Sequence, residues 1–167
     1  MLPLAAAVAA VVLSGCAVSP ETIGCLQPNR RVVVEVGGIK IKPPPKEKPS
    51  AKPGRENVML RAMAQGDSAW DYGSAALKDG GKAEMDKLVK TIHEGAGRDK
   101  RPTNVGSVVV TGHTDRTEAE DGKTNLDEDR AKAVKDYLVQ KGIDSKLIFW
   151  EGKDAKEPVP VTKFCNI

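Results

Sequence analysis

The sequence predicts an α+β two-layer sandwich, with helices covering one face of a mixed sheet. Two observations predict it: β-branched runs alternate along the chain with segments of helical periodicity, and glycine-rich or proline-rich stretches separate them. The chain has 167 residues, 40% of them hydrophobic, enough for one globular domain with additional sequence. Its formal net charge of +3 is interspersed, and it has only two Trp, two Tyr and two Phe. A nucleic-acid binder concentrates basic residues in a stripe with aromatics between them, so that class is excluded.

Residues 1–15 carry no charged side chain, and the apolar run from Leu2 to Leu13 is shorter than the roughly 20 residues that span a bilayer. It reads as the apolar stretch of a signal peptide occupying 1–15. "LSGC", Leu13 to Cys16, resembles the lipobox of bacterial lipoproteins. That resemblance implies that Cys16 receives lipid and becomes the mature N-terminus, with 16–24 as the lipidated N-terminal segment. Ordinary secretion is the other reading. Lipid chains contribute about 0.8 kcal/mol per buried CH₂, so the expected membrane partner is reached through an N-terminal lipid anchor and not by crossing the bilayer. Ala17 after the cysteine implies, by the same resemblance, the outer membrane and a periplasm-facing chain.

Export changes the reading of Cys25 and Cys165, because thiols in an oxidising compartment commonly pair. If they bond, the two ends of the mature chain are neighbours, and the large loop is stabilised by about 4–5 kcal/mol in the chain-entropy model. Two distant cysteines and two histidines offer no metal-ligand spacing, so neither a metal nor another cofactor is expected.

"NRRVVVEV", Asn29 to Val36, predicts a strand ended by Gly37 and Gly38, within a segment 25–39. Residues 40–55, "KIKPPPKEKPSAKPGR", contain five prolines and many lysines and predict a solvated spacer. The alternative is a basic arm attracted to acidic lipids or wall polymers. The remainder of the domain is 56–167, beginning with a strand over Glu56–Gln65. Met85, Leu88, Val89 and Ile92 then fall at i, i+3, i+4 and i+7, the core face of an amphipathic helix. "SVVVTG", Ser107 to Gly112, is a nearly continuous β-branched run and predicts a strand covered on both faces. A second helix is expected from about Asp127, which would serve as N-cap. It carries Ala131, Val134, Tyr137 and Leu138 inward and stops at "KGI", with Gly142 left-handed and Ile143 folded back. "LIFWEG", Leu147 to Gly152, is the last strand.

Arg130 sits awkwardly in this scheme. A cation near a helix start opposes the helix dipole, and Arg130 is four residues before Val134 and eight before Leu138, so it heads the core-facing stripe. A guanidinium held there needs an anion. Asp115, just past the strand, is the obvious candidate, and two readings compete. In one, Asp115 and Arg130 form an internal salt bridge; in the other, each faces a ligand, the carboxylate accepting an ammonium and the guanidinium a carboxylate. The second arrangement is complementary to an amino-acid head group.

"VVVTGHTDRT" and "NLDEDRAKAVKDYLVQKGI" resemble the OmpA-like peptidoglycan-binding domain, whose pattern is GHTD, a loop, then L-S-x-x-R-A-x-x-V-x-x-Y-L-x-x-x-G-I. "WDYGSAALK", Trp70 to Lys78, is similar to the family's upstream F-D-F-G-S segment. The resemblance implies the OmpA-like fold and non-covalent binding of diaminopimelate in the peptidoglycan stem peptide. The implied ligand residues are Asp115 and Arg130, with Asp71, Thr114 and Arg30 as further contacts. "CLQPNRRVVVEVGGIK", Cys25 to Lys40, resembles the family's closing segment although it stands at the start of this chain. The resemblance therefore implies a circular permutation, with the family's last strand first, the proline-rich linker joining the old ends, and Cys25 and Cys165 as the family's disulfide pair. Permutation is tolerated where native termini are close and the cut falls in an exposed loop.

Three positions depart from the family pattern. Lys123 replaces an asparagine, Asp127 replaces the serine cap, and Glu118 replaces a glycine; Lys123 and Glu118 bear on ligand affinity. His113, in the GHTD segment, has no nucleophile or metal set beside it and reads as a structural histidine, so no enzymatic activity is expected. The function implied is a lipid-anchored periplasmic tether between outer membrane and cell wall. The alternative is a structural or assembly subunit of an envelope complex that keeps the fold without binding peptidoglycan and has protein partners instead.

Overall fold

Strand β1, Arg31–Ile41, occupies the middle of a four-stranded sheet of order β2-β1-β3-β4, and its position explains most of the architecture. It runs antiparallel to β2 (Arg55–Gln65) on one side and to β3 (Thr103–His113) on the other. β3 in turn pairs in parallel with β4, Ile148–Gly152, so the sheet is mixed, as expected. The computed structural model describes residues 19–41, 55–95, 100–122 and 125–160. The signal peptide, Cys16, residues 42–54 of the linker, Lys123 and Cys165 lie outside the described residues.

Helices α2 (Asp79–Glu94) and α4 (Leu126–Gln140) pack on one face of the sheet. Val32, Val34 and Val36 of β1 and Val108 and Val110 of β3 meet Met85, Leu88, Val89 and Ile92 of α2 and Ala131, Val134 and Leu138 of α4. The period of two on the strands and the 3.6 period on the helices both point at this layer. α4 ends as its sequence predicts: Gly142 has φ 95°, its N–H donates to Val139 O, and the N–H of Ile143 donates to Leu138 O. That is a Schellman closure, and Ile143 is buried against the core. Among the described residues no helix is long and apolar enough to cross a membrane.

Three expectations are corrected. β1 does not stop at Gly37 and Gly38 but continues to Ile41, the pairing with β3 shifting register at those glycines, so the expected linker is shortened at both ends. β3 is not covered on both faces: Val108 and Val110 are buried while Val109 and its β4 partner Phe149 are exposed, because both main helices lie on the other side. Asp127 is not the N-cap of α4. That place is taken by Asn125 at φ 65°, and the Asp127 carboxylate accepts the Asp154 N–H at 2.8 Å. The reason is close packing: a methyl group added at Gly112 would overlap the Asp127 carbonyl, and one at Gly152 would overlap its carboxylate. The segment before β1 also holds a helix that was not anticipated, α1 (Pro20–Leu26), although its start is marked in the sequence by Ser19, whose Oγ accepts the Thr22 N–H at 3.2 Å, and by Pro20 in the first turn.

Candidate functional site

The site lies where β3 ends and α4 begins. After His113 the chain passes through Thr114 and Asp115 into the short helix α3, Arg116–Glu120. Asp115 caps that helix through a reciprocal capping box. Its Oδ1 accepts the Glu118 N–H at 2.8 Å, and the Glu118 Oε2 accepts the Asp115 N–H at 3.3 Å. Thr117 Oγ1 adds a donor to Asp115 Oδ1 at 2.6 Å.

Arg130 meets its anion here, but the anion is not Asp115. Glu118 takes the guanidinium bidentately, Nη2 to Oε1 at 2.7 Å and Nη1 to Oε2 at 2.8 Å. Arg130 Nε also donates to Ser74 O at 3.0 Å and Nη2 to Asp71 O at 3.3 Å, while the guanidinium lies 5.6 Å from the Trp70 ring centroid. Asp115 receives a different cation. Arg30, immediately before β1, donates from Nη1 to Asp115 Oδ2 at 2.7 Å, to Ile23 O at 3.0 Å and from Nη2 to Asp67. The register that pairs Arg31 with His113 brings Arg30 to this corner.

The expected direct salt bridge between Asp115 and Arg130 is therefore absent, and so is an open clasp between them. Arg30, Asp115, Glu118 and Arg130 are all 0% exposed. Each charge is matched by an opposite charge from the chain itself, which is what burial of ions requires. The other predicted ligand residues sit differently. The Asp71 carboxylate points outward to Lys78 Nζ at 2.7 Å, and only its carbonyl joins the Arg130 cluster. Thr114 is buried with its hydroxyl unpartnered and lines a cavity of about 340 Å³ with Leu26, Asn29, Arg116 and Pro158. His113 is also buried; loss of solvent, reinforced by the neighbouring Arg31 guanidinium, pushes its imidazolium down to about 4. It is thus held neutral near pH 7, with its Nδ1 buried and without a hydrogen-bond partner among the described residues.

Glu118, noted from the sequence only as a departure, is the residue whose role was missed. The signal was present: Asp115-x-x-Glu118 is a capping-box pattern, and that pattern places the glutamate carboxylate back over the N-cap. Among the described residues no group of His, Cys, Asp and Glu is placed to hold a metal.

Residues 69–163 match the OmpA family. The chain is 31% identical over 126 residues to Outer membrane protein A of Bordetella avium, covering 75% of this chain and 58% of that protein. It is 36% identical over 93 residues to Outer membrane protein A of Escherichia coli O157:H7, covering 56% of this chain and 25% of that one. The chain thus spans less than two thirds of the length of these relatives. Among solved structures, the OmpA-like domain of FopA1 from Francisella tularensis is 27% identical, with a TM-score of 0.45 over 59% of this chain and 61% of that one. With its matched region holding the Trp70 segment, Asp115 and Arg130, the chain belongs to the OmpA family.

Proposed function

We propose that this protein is a non-enzymatic envelope protein that binds peptidoglycan non-covalently, recognising diaminopimelate of the stem peptide at the Asp115 and Arg130 corner. The observation that carries the reading is the charge layout of that corner within an OmpA-family domain. Asp115 holds a cation, Arg30, and Arg130 holds a carboxylate, Glu118, side by side at one end of the sheet. A zwitterionic head group presents the same two charges. Arg30 belongs to this corner in the same reading, the Asp71 carbonyl joins it, and Thr114 is the residue before Asp115. The lipobox at Cys16 supports anchorage in the outer membrane with the domain facing the periplasm.

Purified sacculi test the reading directly. The full chain should co-sediment with them, and Asp115→Ala or Arg130→Ala, shown by circular dichroism to be folded, should lower retention at least tenfold. Failure of the parent protein to co-sediment would overturn it. The complete internal pairing of the four buried charges favours a second reading, an assembly subunit in which the domain keeps the fold and binds protein partners. Crosslinked partners recovered without any sacculus binding would select it.

The circular permutation belongs to the same proposal. Its support is the central place of β1, together with the way the segment before it meets the last described residues. The Val159 N–H donates to Asn29 Oδ1 at 2.7 Å and Arg31 Nη2 to Glu157 O at 2.7 Å. A Cys25–Cys165 disulfide would close the cut between the old neighbours. A non-reducing peptide map of periplasmic material should recover the linked pair; free thiols at both positions would remove it.

A further inference from the structure

We infer that Glu118 is an internal ligand, its carboxylate occupying a receptor built for a free carboxylate and setting how tightly one can enter. The inference rests on the peptidoglycan reading for the identity of the incoming ligand, but not for the receptor itself.

The receptor is read from the donors around Glu118. Its two oxygens accept from Arg130 Nη1 and Nη2 at 2.8 and 2.7 Å, from the Gly73 N–H at 2.8 Å and from the Asp115 N–H at 3.3 Å. The chief donor, Arg130, is held by groups other than Glu118, and the two backbone N–H groups are placed by the course of the chain. Arg130 is oriented by the Ser74 and Asp71 carbonyls and by the Trp70 ring, Gly73 lies in the turn after Trp70, and Asp115 is the N-cap of α3. A fork of guanidinium donors with two converging backbone N–H groups is complementary to a carboxylate from any source. Glu118 reaches it from α3, whose own backbone bond to Asp115 Oδ1 does not depend on the Glu118 carboxylate. Withdrawal of the Glu118 carboxylate thus leaves that backbone bond of α3 in place and frees the Arg130 fork.

A tethered carboxylate competes at an effective concentration of about millimolar or above, so an incoming one must displace it before its own contacts count. Shortening residue 118 removes the competitor and leaves the donors in place. Glu118 is thus an affinity-determining residue, acting by occupancy and not by contact with the ligand.

The test uses the full chain as parent, Glu118→Gly, Glu118→Gln and Glu118→Gly combined with Arg130→Ala. A diaminopimelate-containing stem tripeptide is titrated into each by calorimetry. Thermal melts are recorded in sodium acetate and in sodium chloride at equal ionic strength. The inference expects Glu118→Gly to bind the tripeptide at least tenfold more tightly than the parent, with Glu118→Gln between them. It also expects acetate, but not chloride, to raise the melting temperature of Glu118→Gly, and both gains to vanish when Arg130 is also removed. Should Glu118→Gly not fold, the Glu118→Gln comparison decides by the same criteria. Equal, measurable tripeptide affinity in parent and variants would overturn the inference while leaving the peptidoglycan reading intact. Acetate rescue without tripeptide binding in any variant would uphold the receptor and overturn the peptidoglycan reading. Neither rescue nor binding in a folded variant would overturn both.

Discussion

The layer between sheet and helices and the corner beyond the end of β3 are equally buried, yet they are built from opposite materials. In the layer, β1 and β3 valines meet Met85, Leu88, Val134 and Leu138 with every side chain apolar. At the corner, two guanidinium and two carboxylate groups are all at 0% exposure. Burying apolar surface stabilises by about 25 cal/mol per Å², whereas a buried ion pair offsets its desolvation only when its geometry is good, and apolar replacements often do as well or better. The difference teaches that equal burial does not imply an equal contribution to stability. The layer holds the fold together, and the corner is the part of the domain whose composition stability alone does not account for.

The contrast can be broken at either side. The largest effect is expected at the corner. Arg130→Ala leaves the Glu118 carboxylate buried without its cation and should cost about 3–5 kcal/mol in urea unfolding. Replacing both partners together, Glu118→Leu with Arg130→Met, should recover most of that loss. If the double variant is as unstable as the single one, the corner is a stability element and the contrast fails. In the layer, Leu138→Ala should cost about 2–4 kcal/mol through lost burial and a residual cavity, and no second substitution at the corner should restore it.

His113 lies at the border of the two regions, and its effect depends on pH. Its folded pKa of about 4 is below the ordinary 6.5, so the unfolded chain takes up a proton first as pH falls. The neutral form is present in both states above pH 6.5, where the residue makes no difference. Stability should then drop by about 2–3 kcal/mol between pH 6.5 and 4 and level off below that, as far as this group is concerned. Urea midpoints for the parent and His113→Gln across that range isolate the effect, and parallel curves would remove it. The smallest change is expected at the helix end, where Gly142 has φ 95° and open space around it, so Gly142→Ala should cost only about 1 kcal/mol.

Much of the fold was legible. The stripe from Met85 to Ile92 is the buried face of α2, and the "KGI" stop closes α4 as its residue types imply. Strand ends were less so. Glycines at 37 and 38 read as a stop, yet β1 runs through them because partners on both sides hold its backbone and absorb the irregularity as a register shift. The exposure of Val109 was hidden because a run of valines carries no alternation to reveal which face is covered. At the corner, the need of Arg130 for an anion was legible from its place on the helix stripe, but the identity of that anion was not. Asp115 and Glu118 are three residues apart in one capping box, and local chemistry makes either a candidate.

The sequence alone determined the periodicities, the helix stop and the presence of a buried guanidinium at the head of α4, because these depend on residues within a few positions of one another. Only the tertiary structure decided that Arg30 reaches Asp115 while Arg130 takes Glu118. Those pairings span 85 and 12 residues, and they are chosen by the register of β1 on β3 and by the turn of α3 over the sheet edge. Charge complementarity would have allowed other matches. Chain geometry, which sets the distance between the groups, allowed these.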